Sequence, residues 1–389
     1  MGELVSASAS ERLSPLHAVH VAAGASFTDF AGWQMPVRYT SDLAEHHAVR
    51  TAAGIFDLSH MAEIAVRGTG AAAALDYALA GRLSALAIGQ AKYSLLLTPD
   101  GGIVDDVVVY RLADDDFLVV ANASNRGAAV QELTDRAVAF DARVVDESDA
   151  TALIAVQGPG SRGILDRVTA LDAGTPLAEL RYYRVTSARF ADRPVLIART
   201  GYTGEDGFEL YVPVDVAESL WTAIVQAGAG SGLVPAGLAS RDTLRLEAGM
   251  PLYGSELGRD IFPAQAGLGR VVNLAKDTDF VGRHASENGP DAVARVLVGL
   301  ASEGRRAGRA GYPVYASGDT EAVMEALEGA VDPAGIVTSG ALSPTLGHPI
   351  AMAYVDPAVA RPGTTVYIDV RGTRIPATVV PLPFYTRAS

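Results

Sequence analysis

The sequence predicts an α+β protein of two or three domains that ends in a small antiparallel β domain, a barrel or a sandwich. Three observations lead there. A chain of 389 residues is too long for one small core. Helical and strand-like segments follow one another through most of it, with no obvious repeat and no long low-complexity linker. Beyond about residue 295 the texture changes to ARVLVGL, YPVYA, GIVTSG, IAMAYV, TVYIDV and PATVV, short β-rich runs separated by Gly and Pro.

Taken in order, the small, polar opening MGELVSASASERLS reads as a disordered tail. Residues 41–53, SDLAEHHAVRTAA, read as a helix with Ser41 as N-cap and Gly54 as stop. IFDLSHMAEIAVRG follows as a strand pair entered by a turn at Leu58 to His60, and Ala-rich 70–81 as a helix. A hairpin is expected from strand 103–112, the turn ADDD and a return strand from Phe117 to Val120. Residues 125–137 are helix-like, 151–158 a buried strand, and GPGSRGILDRV starts a helix. Asp215 and Glu218 form an Asp-x-x-Glu capping box for VAESLWTAIVQAG, and 236–249 is a helix stopped by Gly249. SGDTEAVMEALEGAVD reads as an insertion in a loop of the C-terminal domain.

Composition narrows the function classes. Hydrophobic content of 49% and a mean hydropathy of +0.19 suit a packed globular protein, and no uninterrupted apolar run reaches the ~18 residues of a transmembrane helix. With no hydrophobic signal core and no cysteine, the chain is expected in a reducing cytoplasm, without disulfides, zinc–thiolate sites or thiol nucleophiles. A net charge of −14 argues against non-specific nucleic-acid binding, and an anionic ligand would need specific Arg or Lys partners.

Three stretches carry possible chemistry. In GGIVDDVVVY (101–110), strand alternation puts Val104, Asp106, Val108 and Tyr110 on one face, and Ile103, Asp105, Val107 and Val109 on the other. Only one of the two carboxylates can then enter a given pocket unless a bulge intervenes. An arbitrary Asp pair more often bonds turn amides; Asp106 sharing a face with Tyr110 suits a flat ligand somewhat better. In RTGYTGEDGFEL (199–210), the glycines permit tight turns or close approach to a ligand, Tyr202 offers a stacking face, and Glu209 alternates against Phe208 and Leu210. A strand-borne carboxylate beside an aromatic suits the two parallel N–H donors of a pterin edge, although an exposed acidic hairpin would have the same pattern. In SRDTLRLEAGM (240–250), Arg241 and Arg245 lie i, i+4 on one helix face; a solvated stripe is the bland reading, a buried Arg with an acidic partner or anionic ligand the sharper one. Glu45, His46, His47 and His60 do not make a metal site, since adjacent helical histidines point about 100° apart and no HExxH spacing exists. GxSxG, GxGxxG and P-loop signatures are absent.

Together these stretches resemble the glycine cleavage system T-protein family, the aminomethyltransferases. The resemblance runs in order through FAGWQMPVRY (30–39), EHHAVRTAAGIFDLSHM (45–61), KYSLLL (92–97), GGIVDDVVVY, ALIAVQGP, TGYTGEDGFEL, GLASRDTLRLEAGMPLYGSE (237–256), DFVGR (279–283), VTSGALSPTLG (337–347) and PFY (383–385), from about residue 14 to 387. It implies a three-domain cloverleaf around a central tetrahydrofolate site: residues 1–60 with 151–255 as the folate-binding domain, 61–150 with 256–290 as a second α+β domain carrying the catalytic Asp, and 291–389 as a C-terminal β barrel. The implied reaction moves an aminomethyl group from the lipoyl arm of the H protein to tetrahydrofolate. It yields 5,10-methylenetetrahydrofolate, ammonia and dihydrolipoyl H protein, with no metal.

By the same resemblance Asp106 is the catalytic carboxylate and Asp105 structural; Glu209 recognises the pterin and Arg241 contacts folate. Tyr93, Tyr110, Tyr182 and Tyr202 line the folate, and Met61 and Asn122 occupy pocket positions. The chain departs from the family at Arg270, where relatives often carry a Trp facing the pocket, and in a longer stretch at 317–331. Folate-binding relatives with a Cys-centred KGCYxGQE motif are discounted because this chain has no cysteine and reads TGYTGEDGFE; a folate-dependent demethylase of the same fold stays open. For H-protein docking the expected local cations are Arg38 and Arg50.

Overall fold

Alternation of side chains along extended segments decides where this chain puts its interior. The computed structural model describes residues 11–317 and 332–387, and among these the strands form three sheets and a closed barrel. A seven-stranded sheet runs in the order Leu171–Ala173, Val185–Phe190, Arg193–Ala198, Gly207–Pro213, Thr151–Gln157, Ala53–Asp57, Leu233–Pro235; all its pairings are antiparallel except the last. A five-stranded antiparallel sheet runs Ala91–Leu97, Ile103–Ala113, Asp116–Ala121, Ala62–Arg67, Arg143–Asp146. Ser26–Phe30 and Arg12–Leu13 flank Trp33–Arg38 in a three-stranded sheet, and the C-terminal strands close a six-membered barrel around Val298, Leu300, Val314, Val337, Val366 and Ile368. The barrel-or-sandwich alternative is thus resolved as a barrel.

The two larger sheets each have two apolar faces. Ile55, Ile154, Val156, Phe208, Leu210 and Val212 point outward onto the helix Ala217–Gly228, while Phe56, Leu153, Ala155 and Tyr211 point the other way. In the five-stranded sheet Val107, Val109, Phe117 and Val119 pack beneath the helices Ala71–Ala78 and Arg126–Ala137, and Tyr110, Leu118 and Val120 face the opposite side. The inward faces of both sheets meet in one core, so the odd–even pattern of each strand selects which residues can reach the space between sheets. The helix Leu238–Glu247 lies against this region and carries the barrel on its far side through Leu246, Ile350 and Met352, with Leu382 and Phe384 sealing the seam. Gly249 takes φ +66° just after that helix, where a Cβ would stand 2.9 Å from the Pro383 backbone.

Several local expectations are corrected. Residues 1–10 of the expected tail lie outside the described residues, but Arg12–Leu13 pair in parallel with Trp33 and Gln34, and the Arg12 guanidinium sits 4.6 Å over the Trp33 ring. The helix behind Ser41 is Asp42–Thr51, with Ser41 Oγ accepting from Ala44 N at 3.4 Å; Gly54 does not stop it but lies inside the strand Ala53–Asp57. That strand and Ala62–Arg67 are not a pair: they join different sheets, and the turn between them crosses from one to the other. The capping box does not form, because Asp215 pairs with Arg193 of a neighbouring strand and Val216 occupies the N-cap. The insertion at 317–332 lies, apart from its two end residues, outside the described residues.

Candidate active site

Between the two inward faces lies a cavity of roughly 360 Å³. The five-stranded sheet contributes Tyr93, Asp106, Val108 and Tyr110; the seven-stranded sheet contributes Glu209 and Tyr211; the helix Leu238–Glu247 adds Arg241 and Arg245. His60, Met61, Asn122, Thr200 and Tyr202 close it from the loops.

The strand that carries the aspartate pair has a bulge, since Leu97 pairs with Ile103 but Leu96 with Asp105. Val104 is the extra residue and joins Val107 and Val109 in the outer core, not the face of Asp106 as alternation predicts. From Asp106 to Tyr110 the alternation holds, so Asp106, and not Asp105, lines the cavity. Asn122, just past the end of the adjacent strand, donates through Nδ2 to Asp106 Oδ1 (2.8 Å) and to Asp105 Oδ1 (2.7 Å), while Tyr93 Oη donates to Asp106 Oδ2 (3.0 Å). Asp105 has no exposed surface; it also accepts from Asn125 Nδ2 (2.8 Å) and Asn122 N (3.0 Å). Burial and then the charge of Asp106 push its carboxyl up to about 7. Burial also raises Asp106, against the stabilising hydrogen bonds from Tyr93 and Asn122.

Glu209 stands opposite Ala155 on one neighbouring strand and Ala198 on the other, so two small side chains leave space above its carboxylate. Thr200 Oγ1 donates to Glu209 Oε2, and Tyr110 Oη reaches the same oxygen at 3.5 Å; among the described residues no donor is bonded to Oε1. Burial raises Glu209, partly offset by the bond from Thr200 and the charge of Arg241. The Arg241 guanidinium lies 4.8 Å over the Tyr202 ring and makes no side-chain hydrogen bond or ion pair among the described residues. Burial depresses it, and the charge of Glu209 supports it. Its helix neighbour Arg245 is already satisfied by Glu256 (2.9 Å), Asp242 and Ser339 (2.7 Å). His60 is buried and neutral, its imidazolium driven down to about 4 by burial and then by the charge of Arg241.

Of the residues singled out from sequence, Asp106, Glu209, Arg241, Tyr93, Tyr110, Tyr202, Met61 and Asn122 meet at this cavity. Tyr182 does not: it is 50% exposed, and Tyr183, at φ +58°, turns its ring to the cavity instead. The Gly-rich loop packs closely on the protein, because a Cβ at Gly201 or Gly207 would run into the Gln157 side chain, and Gly201 also lines the cavity. Arg270 is exposed and outside the cavity wall, where Leu268 of the same segment stands. Arg50, expected at a docking surface, is buried in ion pairs with Glu205 (2.9 Å) and Glu247 (2.8 Å) under the Tyr385 ring; Arg38 is exposed. His46 bonds Thr243 and Thr345, and among the described residues no group of three or more His, Cys, Asp or Glu could hold a metal. Sequence reasoning missed Thr200, Tyr211, Tyr183 and the cavity role of His60; strand parity with Glu209 would have found Tyr211.

The inter-sheet cavity thus brings together two hydrogen-bonded carboxylates, several tyrosines and one guanidinium free of carboxylate partners among the described residues. Residues 16–276 match the GCVT N-terminal domain and residues 295–386 the glycine cleavage T-protein C-terminal barrel domain. An aminomethyltransferase of Cutibacterium acnes is 59% identical over 382 residues, covering 97% of this chain and 99% of the relative; one of Streptomyces avermitilis is 55% identical over 384 residues, covering 97% and 98%. The crystal structure of glycine cleavage system aminomethyltransferase T from Bartonella henselae superimposes with a TM-score of 0.86 at 37% identity, over 97% of this chain and 99% of that one. The chain belongs to the glycine cleavage T-protein family of aminomethyltransferases.

Proposed function

We propose that the inter-sheet cavity is where this glycine cleavage system aminomethyltransferase holds tetrahydrofolate, with the pterin edge on Glu209, the reacting nitrogens beside Asp106 and the glutamate tail toward Arg241. The observation that carries the reading is the asymmetry at Glu209: Oε2 is taken by Thr200 and Tyr110, while Oε1 has no bonded donor among the described residues and stands beneath open space left by two alanines. A pterin edge presents N–H donors, one of which such an oxygen can accept. Tyr202, pinned through Oη to the Pro251 carbonyl at 2.6 Å, stacks with Arg241 at the cavity wall.

The aminomethyl group arrives on the lipoyl sulfur of the H protein, our proposed transient partner. Two bonds of its carbon, to nitrogen and to sulfur, break; two form, to N5 and N10 of the folate. The two N–H protons of the folate leave with ammonia and the thiol, so the reaction is neither oxidative nor reductive. Along this path the carbon becomes iminium-like, and Asp106 is the carboxylate that meets it. Tyr93 and Asn122 hold that carboxylate in place before the charge develops, the form of stabilisation that loses least to reorganisation.

The domain assignment is proposed on the same footing: 1–60 with 151–255 as the folate-binding unit, 61–150 with 256–290 as the unit carrying Asp106, and 291–389 as the barrel unit. Sheet membership supports it, as does the packing of Leu257, Ala266 and Phe280 against Leu95, Leu97 and Ile103. We place the reaction in the cytoplasm; among the described residues no helix is long and apolar enough to cross a membrane. The deciding experiment is anaerobic single turnover with aminomethyl-dihydrolipoyl H protein and tetrahydrofolate. Ammonia and 5,10-methylenetetrahydrofolate should appear in equal amounts, and folate binding without ammonia release would point to a demethylase instead.

A further inference from the structure

Behind the wall of the folate cavity lies a second, smaller one of roughly 180 Å³, and Tyr211 borders both. It holds Glu63, which is 1% exposed and whose two carboxylate oxygens have no hydrogen-bond partner among the described residues. Arg67 and Glu147, which line the same cavity, are paired with each other (2.6 Å), and so are Arg126 and Asp146 (2.7 Å), whose charges act on Glu63. An ionised carboxylate left alone in such a place would be strongly penalised. Burial accordingly raises Glu63 well above the ordinary carboxylate range.

The hydroxyls between the two cavities can be counted. Each has one proton. Thr200 gives its proton to Glu209 Oε2, so the single proton of Tyr110 is directed at Thr200 Oγ1 (3.0 Å) and the same Glu209 oxygen (3.5 Å). With its proton so placed, Tyr110 accepts from Tyr211 Oη at 3.1 Å. Every proton in the row points toward Glu209, and Tyr211 is left with lone pairs that no described residue fills. Glu63, Arg67 and Glu147 are the ionisable groups that line the cavity with Tyr211; Arg67 and Glu147 are paired with each other, and Glu63 is the one without a partner among the described residues.

We propose that Glu63 is a positioning residue for the folate site: as a neutral carboxylic acid it donates to Tyr211 across one water, and heads the donor row Tyr211, Tyr110, Thr200 that ends on Glu209. The cavity is roomy and polar enough for such a water. The row fixes which oxygen of Glu209 stays open and keeps that group an acceptor. This rests on the reading of Glu209 as the pterin partner, and the test separates the two.

Glu63→Gln keeps a donor of the same shape and cannot ionise. Glu63→Met fills the same space and cannot donate. The probe is tetrahydrofolate itself, with its Kd read anaerobically between pH 6 and 8.5 and the fold monitored by thermal melting. Glu63→Gln should bind like the parent, with a superimposable pH profile, whereas Glu63→Met should bind roughly three- to tenfold more weakly. Tyr211→Phe should be weakened similarly, and adding Glu63→Met to it should cost little more. If Glu63→Met does not fold, the Gln profile and Tyr211→Phe still decide. A Gln variant with a shifted profile, a Gln variant as weak as Met, or a Met variant as tight as the parent overturns the proposal. If Glu209→Gln also leaves Kd unchanged, the pterin assignment falls first; if only the Glu63 variants are silent, the donor row alone is wrong.

Discussion

Replacing Asp106 by asparagine removes a charge and keeps the outline of the side chain. Asp106 Oδ1 accepts from Asn122 and Oδ2 from Tyr93. In the variant the amide oxygen can keep the Asn122 bond, and the amide nitrogen then meets a tyrosine hydroxyl that can rotate and accept. One hydrogen bond is reversed and none need be lost, so stability should change by no more than about 1 kcal/mol. Turnover should fall by about 10²–10³-fold, the usual cost of removing one pre-placed group that stabilises developing charge, equivalent to about 2.7–4 kcal/mol. Asp105→Asn should behave in the opposite way. Its carboxylate accepts from Asn122 Nδ2, Asn125 Nδ2 and the backbone N–H of Asn122; the Asn125 amide can flip, but Asn122 Nδ2 is also bonded to Asp106 and the backbone N–H cannot accept. An amide nitrogen facing the fixed backbone donor should cost about 1–3 kcal/mol of stability, while turnover of the folded fraction stays within about tenfold of the parent, because Asp105 does not line the cavity. Denaturant unfolding and single-turnover ammonia release, measured on both variants, give the comparison. If Asp105→Asn loses turnover while Asp106→Asn retains it, the assignment of faces is wrong.

Three further outcomes are expected. Glu209→Gln should weaken tetrahydrofolate binding by about 1.5–3 kcal/mol in calorimetry, the range for hydrogen bonds to a charged group; an unchanged dissociation constant removes it from the site. Arg50→Met should destabilise the protein by about 3–5 kcal/mol in urea unfolding, since it takes the buried guanidinium from Glu205 and from Glu247, the latter keeping Ser343, Thr345 and His46 as partners; a variant of parental stability that fails only with H protein would restore Arg50 as a docking residue. His60, lowered to about 4 against an ordinary value near 6.5, binds its proton more weakly folded than unfolded. Its stabilising contribution is therefore present above pH 6.5 and lost as pH falls toward 4. By that difference the parent should lose roughly 3 kcal/mol more than His60→Gln between pH 7 and 4, and parallel stability curves would refute it.

What could be read from sequence was what depends on near neighbours. Asp106 and Glu209 were legible because two-residue alternation carries a side chain to a face, and both strands keep that alternation where it matters. Val104 was misplaced because a bulge is set by the partner strand, which the local pattern does not contain. Tyr182 was named from the resemblance alone; it lies in a turn, where Tyr183, in left-handed backbone, is the tyrosine that lines the cavity. Asp215 had the spacing of a cap, yet Arg193 competes for it from a strand 22 residues away. Arg50 looked like surface basic charge, and only the folded arrangement brings Glu205 and Glu247, 155 and 197 residues distant, against it.

The cavity's charges are also arranged in an order that no count of acids and bases conveys. On the proposed reading a chain of net charge −14 accepts an anionic ligand, and the guanidinium offered for it, Arg241, has no carboxylate bonded to it among the described residues. Arg241 acts electrostatically on Glu209 and on His60, lowering both and so favouring a charged carboxylate and a neutral imidazole on its side of the cavity. Asp106 receives no comparable help: burial and the hydrogen bonds from Tyr93 and Asn122 are what set its ionisation, and no arginine contributes. Arg245, which also borders the cavity, is already occupied by Glu256 and Asp242. One carboxylate therefore has its charge partly balanced by the protein, and the other does not. Under the proposed function the first is suited to binding, and the unbalanced one gains most when a positive charge appears beside it as the carbon is transferred. That difference, rather than the presence of two acids, would then separate a group that holds the substrate from one that favours the transition state.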